Sequence, residues 1–231
     1  MQALFRLLEA EEGTIQIGGV DISQLGLHKL RQSMSVIPQS PVLFSGTSIR
    51  FNLDPFSVYA DETIRAALAD AQILEAVDEL PEGIHAIVAE AGSNFSVGQR
   101  QLLCLARAIL RKSKILILDE SAANIDNQTD ALLQQAVSRS FRDATILSVA
   151  HRLKSIIDHD RVLVLGDGKV LEYGPPAELL SETIGNDGDN SNAGGGGGGR
   201  SSGHFASMVD STGDQMAKSL RASAMLGPMK R

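Results

Sequence analysis

Two adjacent carboxylates close an apolar segment in the middle of the chain. The segment ILILDE ends in Asp119 and Glu120, and its run of Ile and Leu predicts a strand covered on both faces. Ligands bind beyond the carboxyl ends of strands in open α/β sheets, and neighbouring strand residues point to opposite faces. One carboxylate could therefore hold Mg²⁺, usually through water, while the other polarises a water for attack on phosphorus. A solvated Asp-Glu turn is the alternative.

A second candidate site lies where a short polar segment leads into a predicted helix. Ser96 and Val97 precede this helix, which is predicted from Gly98 to Leu110. The free N–H groups of a helix N-terminus favour an anion, the Ser96 hydroxyl adds a donor, and glycine lets the backbone approach a ligand. An ordinary serine cap is the alternative for this segment taken alone.

The order and spacing of four short segments resemble those of ABC transporter ATPases. FSVGQRQ followed by LARAIL, then ILILDE and then SVAHRL, is similar to the signature, Walker B and switch sequences of that family. The resemblance covers about residues 1–182. It extends to SVIPQSPVLFSGTSIRFNLDPF, which resembles the Gln loop of the C subfamily, the multidrug-resistance-associated exporters. Within that subfamily the chain is most similar to the second of the two nucleotide-binding domains.

The resemblance implies a catalytic centre that binds ATP and Mg²⁺. Gln39 would reach the Mg²⁺ and the attacking water, and its loop would contact the transmembrane domain. Asp119 would serve the Mg²⁺, and Glu120 would be the general base. His151 would hold the γ-phosphate and orient the water.

The remaining matches imply a dimer of nucleotide-binding domains with two ATP molecules between them. The γ-phosphate of an ATP held on the opposite domain would be clasped by Ser96, Val97, Gly98 and Gln99. The AANID loop, which ends in Asp126, would cross the dimer. Closure would drive the transmembrane domains of an exporter, so the expected location is the cytosolic side of a membrane.

One motif of the family does not occur in the sequence. A P-loop reads G-x-x-x-x-G-K-S/T, and none of the 231 residues begins such a string. The nearest string, GDGKV, is assigned to a hairpin turn, and the opening MQALFRLLE resembles the helix that follows a P-loop. We therefore expect a domain that is truncated after the Walker A loop and inactive alone. Its core strand ILILD is expected to lose an adjacent strand, which would leave the backbone groups on that edge unpaired.

The elements around these residues predict an α/β fold. A short strand is predicted at MSVIP and buried strands at ILILD and ATILSVA, with helices between them. The expected architecture is a P-loop NTPase-type ABC ATPase domain with a helical subdomain in residues 1–182, without its N-terminal strands. The Gly-rich and polar residues 183–231 predict a linker and a solvated, largely disordered tail, in which Phe205 to Val209 could form an amphipathic turn. A partner-binding helix is the alternative for the last stretch, MAKSLRASAMLGPMKR.

Composition narrows the functional classes. A formal net charge of -7 argues against a nucleic-acid partner bound through a basic face. The single cysteine, Cys104, excludes an intrachain disulfide and is expected to be a small buried side chain. No apolar run approaches the roughly 18 residues of a spanning helix.

Two alternatives to an exporter ATPase stay open: a soluble ABC ATPase acting on ribosomes or DNA, and a non-catalytic half-domain that docks on another ABC domain as partner or inhibitor.

Overall fold

The computed structural model describes residues 1–120, 126–150, 153–181 and 203–226 of the chain. They belong to two compact units, Met1–His151 and Arg152–Arg231. The described strands and helices of the first unit are β1 (Gln16–Ile17), β2 (Val20–Asp21), α1 (Leu27–Gln32), β3 (Met34–Ile37), α2 (Ile49–Leu53), α3 (Asp61–Asp70), α4 (Leu74–Asp78), α5 (Val97–Arg111), β4 (Ile115–Glu120), α6 (Asn127–Ser140) and β5 (Thr145–Ala150). Those of the second unit are α7 (Leu153–Ile156), β6 (Val162–Gly166), β7 (Lys169–Gly174), α8 (Pro176–Ser181), α9 (His204–Asp210) and α10 (Asp214–Met225).

A parallel three-stranded sheet organises the first unit. Its strand order is β3-β4-β5, with Ile37 opposite Leu118 and Leu118 opposite Ser148. Each crossover between these strands passes through helices, as parallel pairing requires. The mixed α/β fold with a parallel sheet that the sequence predicts is therefore confirmed.

Two sequence predictions about this sheet are wrong, one on the neighbours of β4 and one on the burial of β5. The strand expected to lose a neighbour, β4, lies between β3 and β5, and Leu116, Ile117 and Leu118 are buried. In contrast, β5 was expected to be buried on both faces, but Leu147 is 44% and Val149 is 43% exposed. Within the described part of the chain, β5 pairs only with β4 and forms an edge of the sheet.

Helix α5 is buried on all sides over its middle turns, where the five consecutive residues 102–106 are buried. The helix contacts α2, α3, α6 and β3. Its buried apolar side chains are Leu102, Leu103, Cys104, Leu105, Ala106, Ala108 and Leu110. They form the largest core cluster of the unit together with side chains such as Ile49, Leu68 and Leu116. The helix ends at Lys112, whose left-handed backbone (φ +50°) closes it.

The N-terminal residues depart from the expected helix. The N–H groups of Leu4 and Arg6 donate to carbonyls three residues earlier, and that of Leu7 donates to Gln2, five residues earlier. The φ of +48° at Arg6 breaks any regular helix there. The prediction of a helix over MQALFRLLE is therefore wrong, because the segment is a series of turns.

The second unit is built on the β6–β7 hairpin. The two strands are antiparallel, and Asp167 and Gly168 between them have φ values of +49° and +72°. Two consecutive positive φ angles are typical of the tight hairpin turn predicted from this Asp-Gly pair.

Two helices form within the region that was expected to be linker and tail. Helix α9 extends the predicted turn at Phe205 to Val209, and both of these side chains are buried. On α10, the buried positions are Ala217, Leu220 and Ala224, spaced as one helical face. These helices pack against Val162, Leu179 and Leu180. For residues 203–226 the structure therefore differs from a solvated tail. Of the helices in the described ranges, none is long and apolar enough to cross a membrane.

Candidate functional site

The carboxyl ends of the three parallel strands meet at one edge of the sheet. Gln39 follows the end of β3 by two residues and is exposed to solvent. Asp119, half-buried, pairs with Val149, and Glu120, the last residue of β4, pairs with Ala150. The topology thus brings Gln39 and the two carboxylate residues to the same edge. His151, which follows β5 in the sequence, lies outside the described residues.

The donor set at this edge suits a hard divalent cation. Magnesium prefers oxygen ligands and keeps several waters, so it needs only one or two protein groups. The carboxylate of Asp119 and the side-chain amide oxygen of Gln39 are ligands of this type. Asp119 is half-buried at the end of a fixed strand, whereas Gln39 lies on an exposed bend. The residues present therefore fit a Mg²⁺ held mainly by Asp119.

The start of α5 is a complete capping box. Ser96 Oγ accepts the Gln99 N–H at 3.1 Å, and Gln99 Oε1 accepts the Ser96 N–H at 2.9 Å. Both residues were predicted to bind a ligand, and the structure gives them an additional task at the helix terminus. In this first turn, the N–H groups of Val97 and Gly98 have no intrahelical partner, which leaves them for an anion.

Gly98 is also required by helix packing. A Cβ placed on Gly98 would lie 2.5 Å from Thr129 Cγ2, which is too close for real atoms. The sequence suggested that this glycine allows a ligand to approach, and the structure shows that it allows α6 to approach. Thr129 was not singled out from the sequence, because the capping-box pattern has Glu or Gln three residues after the N-cap and gives no signal for a threonine there.

Asp126 joins the same small cluster. One of its carboxylate oxygens accepts the Thr129 N–H at 2.9 Å, and the other accepts the Thr129 hydroxyl at 2.7 Å. The backbone hydrogen bond from Thr129 and then that residue's hydroxyl lower the pKa of Asp126 below its usual range. Asp126 is therefore the N-cap of α6, and Thr129 links it to Gly98 on α5.

A cleft of about 370 Å³ in the first unit contains two further residues that the sequence did not indicate. It is lined by β3, residues 42–55 and α5, and Arg107 and Asn52 meet in it. Cys104 also lines it, and burial raises the pKa of this thiol. The expected small, buried role of Cys104 is confirmed, because the residue is 4% exposed.

Comparisons with known proteins identify the family. A family model described as "ABC transporter" matches residues 1–123. The chain is 54% identical to human "ATP-binding cassette sub-family C member 2" over 177 residues. These residues make up 77% of this chain and 11% of that protein. It is 51% identical over 183 residues to a probable multidrug resistance-associated protein of Drosophila melanogaster, covering 79% of this chain and 13% of that protein.

A third relative agrees with the first two. "ABC transporter C family member 8" of Dictyostelium discoideum is 51% identical over 179 residues, 78% of this chain and 11% of the relative. The chain thus spans only a small part of the length of these curated relatives. Together with the parallel sheet and the helix-start motif, these matches show that the chain belongs to the ABC transporter family, as a nucleotide-binding domain of its C subfamily.

Proposed function

We propose that this chain is an ATP-binding and hydrolysis module that powers export by a transporter of the multidrug-resistance-associated type. The observation that carries the proposal is the β3-β4-β5 order, which brings Gln39, Asp119 and Glu120 to one edge of the sheet. Asp119 and Glu120 occupy adjacent positions on β4, and we assign the first to metal binding and the second to proton transfer.

Each residue at this edge has a defined task in the proposed reaction. Asp119, with Gln39, would hold Mg²⁺, which neutralises charge on the phosphates of ATP when it is bound. Glu120 accepts a proton from the water that attacks the γ-phosphate, and Gln39 reaches that water. His151, by resemblance, holds the γ-phosphate and orients the water. The membrane-facing partner is the transmembrane domain, which would hold the module on the cytosolic side.

The signature segment would act on a second ATP, held by a second nucleotide-binding domain. The unpaired N–H groups of Val97 and Gly98 and the remaining hydrogens of Ser96 and Gln99 are donors suited to a γ-phosphate. Asp126 would lie on the loop that crosses between the domains. The geometry of the capping box supports this role, because hydrogen bonds within the chain fix the start of the helix.

A second candidate function is a non-catalytic half-domain that docks on another ABC domain as partner or inhibitor. The observation that favours it is the complete capping box in a sequence without a P-loop string. The chain would then present its signature surface to ATP on the other domain. Addition of the purified chain to a full-length transporter would lower or raise ATPase activity in this case, with a Gly98→Asp variant as the inactive control.

Glu120→Gln in a full-length transporter that contains this sequence tests the catalytic proposal. Steady-state ATPase activity should fall by at least about 100-fold, the usual contribution of general-base catalysis, while ATP is still bound. The matched control is Glu62→Gln, which removes an exposed carboxylate in the first turn of α3. Normal turnover by Glu120→Gln would exclude Glu120 as the general base.

A further inference from the structure

One side chain of α5 binds a segment that is distant in the sequence. The guanidinium of Arg107 donates from Nε to the Asn52 carbonyl at 2.6 Å and from Nη2 to Asn52 Oδ1 at 2.8 Å. It also donates from Nη1 to the Val42 carbonyl at 2.9 Å, and Cζ lies 5.8 Å from the centre of the Phe44 ring. The partners of Arg107 thus lie 55 and 65 positions earlier in the chain.

Asn52 continues the contact into the rest of that segment. The residue is 3% exposed, and its Oδ1 also accepts the Phe44 N–H at 2.7 Å. Its Nδ2 donates to the Phe44 carbonyl at 3.1 Å, to Thr47 Oγ1 at 2.9 Å and to the Ser48 carbonyl at 3.1 Å. Residues 42–53 therefore fold around one buried amide, and Arg107 binds that amide directly.

Helix α5 connects Arg107 to the signature segment. It runs without a break from Val97 to Arg111, and its capping box starts at Ser96. A continuous helix rises 1.5 Å per residue, so Arg107 lies about 16 Å along the axis from Ser96. Because a helix of this length is stiff, a displacement applied at Arg107 reaches the signature end.

We propose that Arg107 and Asn52 form a clamp that makes residues 42–53 and α5 move as one body. Arg107 is then a positioning residue, which transmits the position of the segment after Gln39 to the signature end of α5. The inference rests on the proposed function, in which the loop beginning at Gln39 contacts the transmembrane domain and the signature contacts ATP.

The chemistry of Arg107 explains why a related side chain could not replace it. Burial lowers the pKa of Arg107, and its bonds go to carbonyl and amide oxygens at fixed angles. A planar guanidinium can satisfy several acceptors at once, whereas the ammonium of lysine is a single point donor. Arg107→Lys keeps the charge but cannot serve Asn52 and Val42 together.

Native-state hydrogen exchange of the 231-residue chain tests the clamp without a mutation or a nucleotide. The amides of Phe44 and Asn52 should open in the same cooperative unit as the Leu105 amide of α5, with exchange rates that respond in parallel to added denaturant. If the Phe44 and Asn52 amides instead exchange through a separate opening that denaturant does not affect, the clamp does not exist.

In Arg107→Lys, residues 42–53 should open independently of α5. We expect the Phe44 and Asn52 amides to exchange at least about tenfold faster, as for the loss of hydrogen bonds to a charged group, while Leu105 keeps its rate. Arg111→Lys is the matched control, one turn further along α5, lining the same cleft and exposed. Unchanged exchange in Arg107→Lys, or an equal rise throughout α5, would overturn the proposal.

The same variant in a full-length transporter that contains this sequence gives the functional readout. The ratio of substrate-stimulated to basal ATPase activity should fall about three- to tenfold, while the KM for ATP changes less than about twofold. A raised KM with an unchanged ratio would contradict a positioning role. Failure of the proposed function would be recognised separately, as normal turnover by Glu120→Gln, and would leave the exchange experiment valid.

Discussion

At the scale of single residues, the contact between Gly98 and Thr129 gives the sharpest prediction. Gly98→Ala places a methyl group 2.5 Å from Thr129 Cγ2, and rotation of Thr129 would break its hydroxyl bond to Asp126. Overpacking of this kind costs about 1–3 kcal/mol. We expect Gly98→Ala to lower the free energy of unfolding by this amount in urea titrations.

The matched variant for this prediction is Gly98→Ala combined with Thr129→Ser. Serine removes Cγ2 but keeps the hydroxyl that Asp126 accepts. The double variant should therefore recover more than half of the lost stability. Equal stability of Gly98→Ala and the natural sequence would show that α6 can move away from α5 without cost.

The lowered pKa of Asp126 should make the stability of the chain depend on pH. Because its hydrogen bonds from Thr129 lower its pKa in the folded state, its contribution is present above the unfolded value of about 3.9. That contribution is lost as the pH falls through the lower folded pKa. The difference in Tm between the natural chain and Asp126→Asn should thus shrink between pH 5 and the most acid measurement. A constant difference over this range would mean that the carboxylate charge plays no part.

The residue-scale contacts were only partly predictable from sequence. Ser96 and Gln99 stand three positions apart, so their capping box follows from a local pattern. The Arg107–Asn52 bonds join residues 55 positions apart, and no local pattern indicates which carbonyl a distant arginine will meet. Contacts within one turn of helix can thus be predicted, whereas contacts that depend on the tertiary fold cannot.

At the scale of elements, the edge strand β5 is the part of the described sheet where association with other chains is expected. Its sequence TILSVA contains no charge and no proline, and Leu147 and Val149 are exposed. An exposed apolar edge strand offers a template for pairing with other chains, and a charged side chain on the edge is one way to prevent this pairing. We expect Val149→Lys to reduce concentration-dependent light scattering of the purified chain. Val42→Lys, at a position that is 66% exposed outside the sheet, is the control and should change little. Equal scattering by both variants would place the association elsewhere.

Strand β5 also shows where element prediction fails. An apolar run without polar alternation indicated burial for both ILILDE and ATILSVA. Only β4 meets that expectation, because burial depends on which strands lie alongside and not on the strand itself. The same reasoning applies to α10, whose apolar residues become buried only when α8 and α9 pack against it.

At the scale of the whole molecule, ATP turnover by the chain alone can be predicted. The sequence contains no string that could form the phosphate cradle of a P-loop and its lysine. We therefore expect phosphate release with Mg²⁺ and ATP to stay below about 1 s⁻¹, a low but ordinary enzyme rate. Glu120→Gln purified in the same way controls for contaminating ATPases. Faster turnover that this variant abolishes would contradict the prediction.

The capping box at Ser96 determines which kinds of chemical group the signature segment can recognise. Ser96 Oγ and Gln99 Oε1 each accept a backbone N–H of the same turn, which occupies one of the two lone pairs on each oxygen. Their hydroxyl and amide hydrogens, with the N–H groups of Val97 and Gly98, are all donors. A ligand group that only accepts hydrogen bonds would therefore bind this helix start better than an ammonium or an amide N–H. In the proposed role, the helix start would thus select its ligand by hydrogen-bonding polarity as well as by charge.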